Sequence, residues 1–226
     1  MMNERKQSDG DVYQATKAIY ERYARTKDGY YSSRRRLLKY SVWQLWAWRT
    51  AYRYLRRHLA RGPQFDSAIE VGCGRGDFAI KLARDFPGLK RVAGCDFSDG
   101  AIAVAQRQGS PVEFAVGNVL RLNYREREFG AVFCVNVLGH IPDHDMPTAI
   151  GELCRISSHF LCVEIKNANS LYYRRRKAEV DGVPIFPTRA DRVCELAAKN
   201  GFRLVGRRNV FGLDVGSPMI VLAFQR

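Results

Sequence analysis

A glycine-rich turn between an apolar run and a helical pattern constrains the fold of this chain more than any other feature. Residues 70–76 read EVGCGRG and follow directly on a short apolar segment that begins at Ser67. Three glycines at alternate positions let the backbone turn tightly, and without Cβ atoms they let a ligand approach the main chain. Because a helical pattern starts at Asp77, we predict a strand, a turn and a helix with a ligand site above the turn.

Short β-branched runs and helical segments alternate after this turn, in the rhythm of a parallel sheet wound with helices. Four strands are predicted, at residues 67–72, 89–96, 112–118 and 129–138. Helices are predicted at 77–86 and 99–108, and later at 146–154 and 188–200. Three further strands are predicted at 159–165, 202–210 and 217–225, of which the last two are close enough to pair antiparallel at a sheet edge.

Residues 1–62 differ in composition from the rest of the chain. They contain all three tryptophans and, between Gly29 and Phe65, nine basic residues with no acidic one. A long amphipathic helix is predicted because apolar residues recur on one helical face, at Leu38, Val42, Leu45, Trp48, Tyr52, Leu55 and Leu59. Gly62 and Pro63 then interrupt the pattern, so we predict a helical lid or substrate region over 1–62 and a ligand-binding domain over 63–226.

The charge of the chain favours anionic partners. It has 37 Lys and Arg against 23 Asp and Glu, a formal net charge of +14, which suits phosphates, anionic lipid headgroups or acidic substrates. The six cysteines are scattered singly, without a paired spacing, and are predicted to be reduced and buried. The polar opening segment does not resemble a signal peptide, and no apolar run could span a bilayer, so a cytoplasmic location is expected.

An acidic residue at the end of the second predicted strand completes the ligand site. Asp96 follows Gly76 by 20 residues, where a carboxylate can accept hydrogen bonds from both hydroxyls of a ribose. A dinucleotide loop would need its third glycine one residue later, and the charge of Asp77 would oppose a pyrophosphate. The pattern therefore favours an adenosine-type ligand without phosphates, such as S-adenosylmethionine, whose ammonium group could meet Glu70.

These motifs resemble the first two motifs of the class I S-adenosylmethionine-dependent methyltransferases, and the similarity continues from about Ser67 to the C-terminus. The resemblance implies an α/β, Rossmann-like, seven-stranded, mostly parallel sheet with an antiparallel C-terminal edge strand and, here, a helical N-terminal extension. Asn118 stands where the family usually has an aspartate that holds adenine, and Phe97 is placed either to contact adenine or to pack in the core. The cofactor residues implied are Glu70, Gly72, Cys73, Gly74, Gly76, Asp96, Phe97, Asn118, Val119 and Asn136.

The fourth predicted strand leads into a segment similar to the one that passes the methionine end of the cofactor in this family. Asn136 and His140 lie in it, on the side of the sheet where ligands bind. His140 is the candidate general base, because an imidazole can accept a proton from a group that is being methylated. Two alternatives stay open: the histidine orders the loop while alignment alone accelerates transfer, or Glu164 is the base.

The N-terminal region has several interpretations. Tyr13, Tyr20 and Tyr23 are candidate lid residues that either contact substrate or form a helix face packed on the core. The face with Trp43, Trp46 and the arginines could lie on an anionic membrane, bind nucleic acid, which is less favoured, form a homodimer, or remain in solvent.

The motifs of three acceptor classes are missing. The fourth strand lacks the Pro-Pro of adenine-N6 enzymes, the chain has no Pro-Cys nucleophile for cytosine-C5 transfer, and no ribose-methylating Lys-Asp-Lys-Glu set is found. The four histidines lack ligand-like spacing, so no metal site is predicted. The added N-terminal helices resemble those of small-molecule members of the family, which implies methyl transfer to an oxygen, nitrogen or activated carbon of a small, anionic or lipid-like molecule. The alternatives are an RNA- or protein-directed methyltransferase and a nucleoside-binding domain without catalysis.

Overall fold

A computed structural model describes residues 13–22, 34–61, 65–175, 179–180 and 183–226. Tyr23 and the side chain of Trp43 lie outside the part of the chain that the structure describes. The helices are α1 (13–22), α2 (Arg34–Arg61), α3 (Asp77–Asp85), α4 (Asp99–Gln106), α5 (Met146–Ile156), α6 (Leu171–Arg174) and α7 (Ala190–Lys199). The strands are β1 (Ser67–Val71), β2 (Arg91–Asp96), β3 (Glu113–Val116), β4 (Phe129–Cys134), β5 (Ser157–Lys166), β6 (Glu179–Val180), β7 (Val183–Pro184), β8 (Arg203–Asn209) and β9 (Met219–Gln225).

Seven strands form one sheet in the order β3-β2-β1-β4-β5-β9-β8. The pairs among β1 to β5 are parallel, and β9 runs antiparallel to both β5 and β8. The order reverses between β1 and β4, and in such sheets ligands bind at the carboxyl ends of the strands near that reversal. The Rossmann-like sheet with antiparallel C-terminal strands that the sequence predicts is confirmed.

The core lies on both faces of this sheet. One apolar cluster is formed mainly by β4, β5, α5 and α7, with Phe129 and Phe202 among its buried side chains. The other is formed where α2 and α3 cover the opposite face, with Leu55, Phe78 and Phe160 buried. Because both faces of the sheet are covered here, the parallel strand β4 and the antiparallel strand β9 are buried along nearly their whole length.

Helix α2 is confirmed, but its predicted apolar face is only partly correct. The buried apolar side chains are Ala47, Ala51 and Leu55, four residues apart, and Thr50 and His58 are buried polar residues on this helix. Trp48, Tyr52 and Leu59 pack partly buried beside them. Val42 and Leu45 were expected on the buried face and are instead exposed. The C-terminal half of the helix packs on β5 and β9. Val42 and Leu45 lie in its N-terminal half, before the part that the sheet covers.

Several short elements were not predicted from the sequence. The 3-10 turn Leu138–His140 follows β4, and helix α6 and the antiparallel strands β6 and β7 follow β5. Each has four residues or fewer, too few for a periodic pattern to be visible. The six cysteines are unpaired, five of them buried and Cys194 partly exposed. In the ranges that the structure covers, no helix is both long enough and apolar enough to cross a membrane.

Candidate active site

A cleft of about 560 Å³ opens at the carboxyl ends of β1, β2, β4 and β5. Two halves can be distinguished by the residues that line it. The glycine half contains residues 70–75 of the turn, residues 96–98 at the end of β2 and residues 116–119 at the end of β3. The histidine half contains residues 135–137, 140 and 141 after β4, together with the side chains of Lys166, Tyr173, Ile185 and Met219. Tyr13, Tyr20, Gln44 and Trp48 enter it from the N-terminal helices.

The glycine turn needs its glycines for different reasons. Gly72, Gly74 and Gly76 have φ of 78°, 53° and 85°, in the left-handed region that side chains disfavour. A Cβ at Gly72 would lie 1.9 Å from Cγ2 of Val137, whereas none of the surrounding atoms comes within 4 Å of a Cβ at Gly74. Gly74 therefore leaves open space above the backbone, which is the cradle that a cofactor lying on the turn requires.

Asp96 ties this turn to the end of β2. Its Oδ2 accepts from the backbone N–H of Gly74 at 2.8 Å, and its Oδ1 accepts from that of Ser98 at 2.9 Å. Burial raises the pKa of this carboxyl, and the backbone donors oppose the rise. Each carboxylate oxygen has a second lone pair, so Asp96 can order the turn and still accept hydrogen bonds from the hydroxyls of a ribose.

Glu70 is buried at the end of β1 and also lines the cleft. Its Oε2 accepts a 3.0 Å hydrogen bond from the backbone N–H of Ala79. Burial raises the pKa of Glu70 well above its usual range, and the nearby charges of Asp77 and Asp96 add to the rise. A cationic group in the cleft would relieve this cost, and the methionine ammonium of S-adenosylmethionine is such a group.

The far end of the glycine half is more open. Phe97 is half-buried and contacts the Tyr20 ring edge-on, with centroids 5.9 Å apart. The Asn118 side chain is exposed, and its Oδ1 accepts from the backbone N–H of Leu120 at 2.9 Å. Val119 is buried beside it and also lines the cleft. Phe97 therefore borders the cleft rather than the core, and Asn118 stabilises its own turn in addition to facing the ligand space.

His140 and Tyr20 form a hydrogen-bonded pair in the histidine half. The His140 Nδ1 lies 3.1 Å from the carbonyl oxygen of Pro184, and Nε2 lies 3.0 Å from the Tyr20 hydroxyl. A carbonyl can only accept, so Nδ1 carries the hydrogen and Nε2 accepts from Tyr20. Burial lowers the pKa of His140 from 6.5 to about 4, and the charge of Lys166 contributes to this fall. The imidazole is therefore neutral near pH 7.

A buried ionic network supports the loop that carries His140. Glu164 is fully buried, its Oε2 accepts from the backbone N–H of Asn136 at 3.0 Å, and its Oε1 lies 3.0 Å from Lys166 Nζ. The same ammonium donates to Asn136 Oδ1 at 3.1 Å. Asn136 has φ of 62°, a strained conformation for a residue with a side chain. The network holds Asn136 in this conformation and places a cation at the edge of the cleft.

Helix α1 bridges both halves. Tyr13 donates to Asp145 Oδ2 at 2.8 Å, and Tyr20 donates to His140 in the histidine half. On the other side Lys17 pairs with Asp99 at 2.7 Å, and Glu21 accepts from the backbone N–H of Gly100 at 3.0 Å. These contacts hold α1 against the cleft, with Tyr13 and Tyr20 lining it.

The cleft brings together most of the residues that the sequence indicated. Of the eleven residues predicted to bind the cofactor or to act in catalysis, ten line the cleft. Gly76 does not, because it caps α3 beneath the turn. Sequence reasoning missed Lys166, Trp48, Tyr173 and Met219. They come from separate segments that only the folded chain brings to one place. In the described part of the chain, no three His, Cys, Asp or Glu side chains group as a metal site.

The sheet order, the glycine turn and its acidic partners define a Rossmann-like domain that holds an adenosine-type cofactor. Comparison with known families agrees, because the model described as "Methyltransferase domain" matches residues 68–159. Residues 68–159 therefore form a methyltransferase domain of the class I S-adenosylmethionine-dependent type, and the residues of the cleft fit S-adenosylmethionine as the cofactor.

Curated relatives and solved structures are similar to different extents. Demethylmenaquinone methyltransferase of Oceanobacillus iheyensis is 28% identical over 118 residues, 49% of each chain. The 2-phytyl-1,4-naphtoquinone methyltransferase of Nostoc sp. is 28% identical over 97 residues, 40% of this chain and 42% of the relative. The matched part thus spans about half the length of these relatives or less.

Among solved structures, magnesium protoporphyrin IX methyltransferase from Synechocystis PCC 6803 with bound S-adenosylmethionine has a TM-score of 0.69 and 16% identity. That alignment covers 93% of this chain and 97% of the solved one. At this identity the likeness shows the fold, and it extends over the N-terminal helices as well as the sheet.

Proposed function

We propose that this protein transfers the methyl group of S-adenosylmethionine to a small-molecule acceptor bound in the histidine half of the cleft. The observation that carries the proposal is the hydrogen-bonded chain from Tyr20 to His140 to the carbonyl of Pro184, which faces the same cleft as the glycine turn. When bound, the cofactor supplies an electrophilic methyl carbon on a sulfonium. Glu70 would bind its ammonium group and Asp96 its ribose, while Gly74 leaves room for the cofactor above the turn. Phe97, Asn118 and Val119 would lie beside the adenine.

The protonation state of His140 supports an acceptor whose reacting group ionises readily. Its Nδ1–H is fixed on Pro184, its Nε2 is unprotonated near pH 7, and its lowered pKa makes it a weak base. A weak base takes protons efficiently only from an acidic donor. Lys166, at the edge of the same half, would stabilise the resulting anion. In this proposal His140 and Tyr20 position the acceptor oxygen or nitrogen, and Glu164 supports the loop rather than acting as the base.

The lining of the histidine half supports a small molecule with apolar surface. Tyr173, Ile185 and Met219 supply aromatic and aliphatic surface in this half, and Trp48 lines the same cleft. Cavities of this size, with apolar walls and few polar groups, are typical of small-molecule sites. Relatives named for quinone acceptors and a fold neighbour named for a porphyrin acceptor are consistent with an acceptor of this kind.

We also propose that residues 1–62 act as a cleft-covering region and residues 63–226 as the cofactor-binding domain. Support comes from α1, whose tyrosines line the cleft, and from α2, whose Gln44 and Trp48 do the same while its later residues pack on the sheet. Contact with an anionic membrane, the less favoured binding of nucleic acid, a homodimer and a cytoplasmic location stay predictions.

A labelling experiment tests the proposed function. The purified protein is incubated with S-adenosylmethionine that carries a labelled methyl group and with an extract of the source organism, separated into small-molecule, RNA and protein fractions. We expect label in the small-molecule fraction, and most of it in acidic compounds. Label in the RNA or protein fraction would show a macromolecular acceptor. Binding of S-adenosylhomocysteine without transfer to any fraction would support a domain that binds the nucleoside and does not catalyse.

The His140→Asn variant separates acceptor chemistry from cofactor binding. Asparagine keeps a polar side chain but cannot reproduce both hydrogen bonds of the imidazole. We expect methyl transfer to fall by about a hundredfold, while the affinity for S-adenosylhomocysteine, measured by calorimetry, stays within about threefold because the glycine half is untouched. Unchanged transfer would remove His140 from the proposal.

A further inference from the structure

The loop between β8 and β9 presents apolar side chains beside the cleft. Residues 210–218 form this loop and lead into Met219, the first residue of β9. Met219 lines the cleft and pairs with Lys166 at the end of β5. Phe211, Leu213 and Val215 in this loop have exposed fractions of 61%, 78% and 51%. Isolated exposed apolar residues are ordinary, but three in one short loop at a cleft mouth indicate a contact surface.

Buried polar groups hold this loop in place. The Asn167 side chain is fully buried and donates to the carbonyl oxygens of Asp214 at 2.7 Å and Ser217 at 2.8 Å. The buried Ser217 hydroxyl accepts from the backbone N–H of Phe211 at 2.9 Å. The fold thus fixes the backbone from beneath, and the three apolar side chains are held outward.

A second segment continues the same surface. The backbone N–H of Leu171, at the start of α6, donates to the Val215 carbonyl at 2.9 Å. Leu171 is exposed, and Tyr173, two residues later in the same helix, lines the cleft. Arg174 and Arg175 are exposed at the end of the helix. We name residues 171–175 and 210–218 the cleft-rim surface.

The charge of this surface is basic. Arg174 and Arg175 lie in it and are exposed. Asp214 is the acidic residue in the two segments, and it forms an ion pair with Arg207. Apolar side chains flanked by arginines match the boundary of an anionic bilayer, where rings and aliphatic groups enter between headgroups and guanidinium groups contact phosphates.

We infer that the cleft-rim surface docks the protein on an anionic membrane, with the mouth of the cleft towards the lipid. A lipid-like acceptor would then reach the histidine half from the bilayer without crossing water. That use of the docked state rests on the proposed function, whereas the docking itself is independent of catalysis and is measured without it.

The test is co-sedimentation of the full chain with vesicles. We expect binding to vesicles of phosphatidylserine and phosphatidylcholine, weaker binding to phosphatidylcholine alone, and a loss of binding as salt is raised. The double variant Phe211→Ser, Leu213→Ser should lower the partition coefficient at least about tenfold, because two apolar groups no longer enter the boundary. Arg174→Gln with Arg175→Gln should lower it about tenfold on the anionic vesicles alone.

A matched control is available in the same hairpin. Leu204 and Val205 have exposed fractions of 43% and 42%, but they lie at the opposite end of β8, where Arg203 pairs with Gln225. Leu204→Ser with Val205→Ser should leave vesicle binding unchanged. Affinity for S-adenosylhomocysteine verifies that every variant is folded and reports separately on the cofactor site. No vesicle binding by the unaltered chain, or an equal loss in the control variant, would overturn the inference.

Discussion

The glycine half of the cleft is built from backbone, whereas the histidine half is built from side chains of distant segments. Residues 70–76 lie in one strand-turn-helix unit with left-handed glycines, and Asp96 at the end of the next strand accepts hydrogen bonds from main-chain N–H groups of Gly74 and Ser98. His140, Tyr20 and Lys166 come from three separate elements and depend on one another. The comparison indicates that the cofactor site is a local property of the chain, while the second site depends on the whole fold.

We expect the largest loss of stability when the buried Glu164–Lys166 ion pair that supports the histidine half is broken. Glu164→Gln removes the buried carboxylate that binds Lys166 and the Asn136 backbone, and so leaves the ammonium without its counterion. Breaking a buried ion pair from one side costs about 3–5 kcal/mol. We expect urea unfolding to show a loss of that size. The double variant Glu164→Gln, Lys166→Met should recover part of it, and a loss of less than about 1 kcal/mol would contradict the comparison.

Asp96→Ala tests the glycine half. The change removes the acceptor for a ribose and leaves the N–H groups of Gly74 and Ser98 without their partner. Because hydrogen bonds to a charged group are worth about 1.5–3 kcal/mol each, affinity for S-adenosylhomocysteine should fall by about a hundredfold or more.

The control for that experiment is Asp66→Ala. Asp66 is exposed and lies before β1, away from the cleft. Calorimetric titration of both variants should show a change for Asp96 alone. Equal affinities in the two would mean that the turn binds the cofactor without its carboxylate.

A pH titration sharpens the description of the histidine half. The pKa of His140 is about 4 in the folded chain, below the usual 6.5, so protons bind the unfolded chain more readily in this range. The free energy of unfolding should therefore decrease as pH falls, by about 2 kcal/mol between pH 7 and pH 5 from this residue. Denaturant unfolding at several pH values should show a shallower dependence for His140→Asn. An identical dependence in both proteins would show that the imidazole is not buried as described.

The smallest effect is expected for Glu70→Gln in the glycine half, where the free energy of unfolding and the affinity for the cofactor should change independently. Glu70→Gln keeps an oxygen for the Ala79 N–H but removes a buried charge. Since burial raises the pKa of Glu70, the variant should be as stable as the parent near pH 7 or more stable by about 1 kcal/mol. Its affinity for S-adenosylmethionine should fall about tenfold because the ammonium loses its counterion. A variant that loses stability and keeps its affinity would assign Glu70 a structural function.

The two halves of the cleft also differ in how far the sequence predicts them. The glycine turn, Asp96 and the alternating pattern are local signals, so the parallel strands and the ribose site followed from spacing. The seven-stranded order and the functions of Asn118, Val119 and Asn136 followed from the resemblance to the methyltransferases. Lys166, Trp48 and Met219 have no such signal, because their meeting depends on α2 crossing β5 and β9. Periodicity also placed Val42 and Leu45 on a buried face. It cannot show that the sheet ends before the helix does.

The close approach of Val137 to Gly72 joins the two halves mechanically. A Cβ at position 72 would lie 1.9 Å from the Val137 side chain, and Val137 precedes the turn that ends in His140 by three residues. The glycine turn therefore fixes where the loop that carries His140 can pack. A Cβ at position 72 would push Val137 away, so the spacing between the glycine turn and His140 depends on the absence of one methyl group.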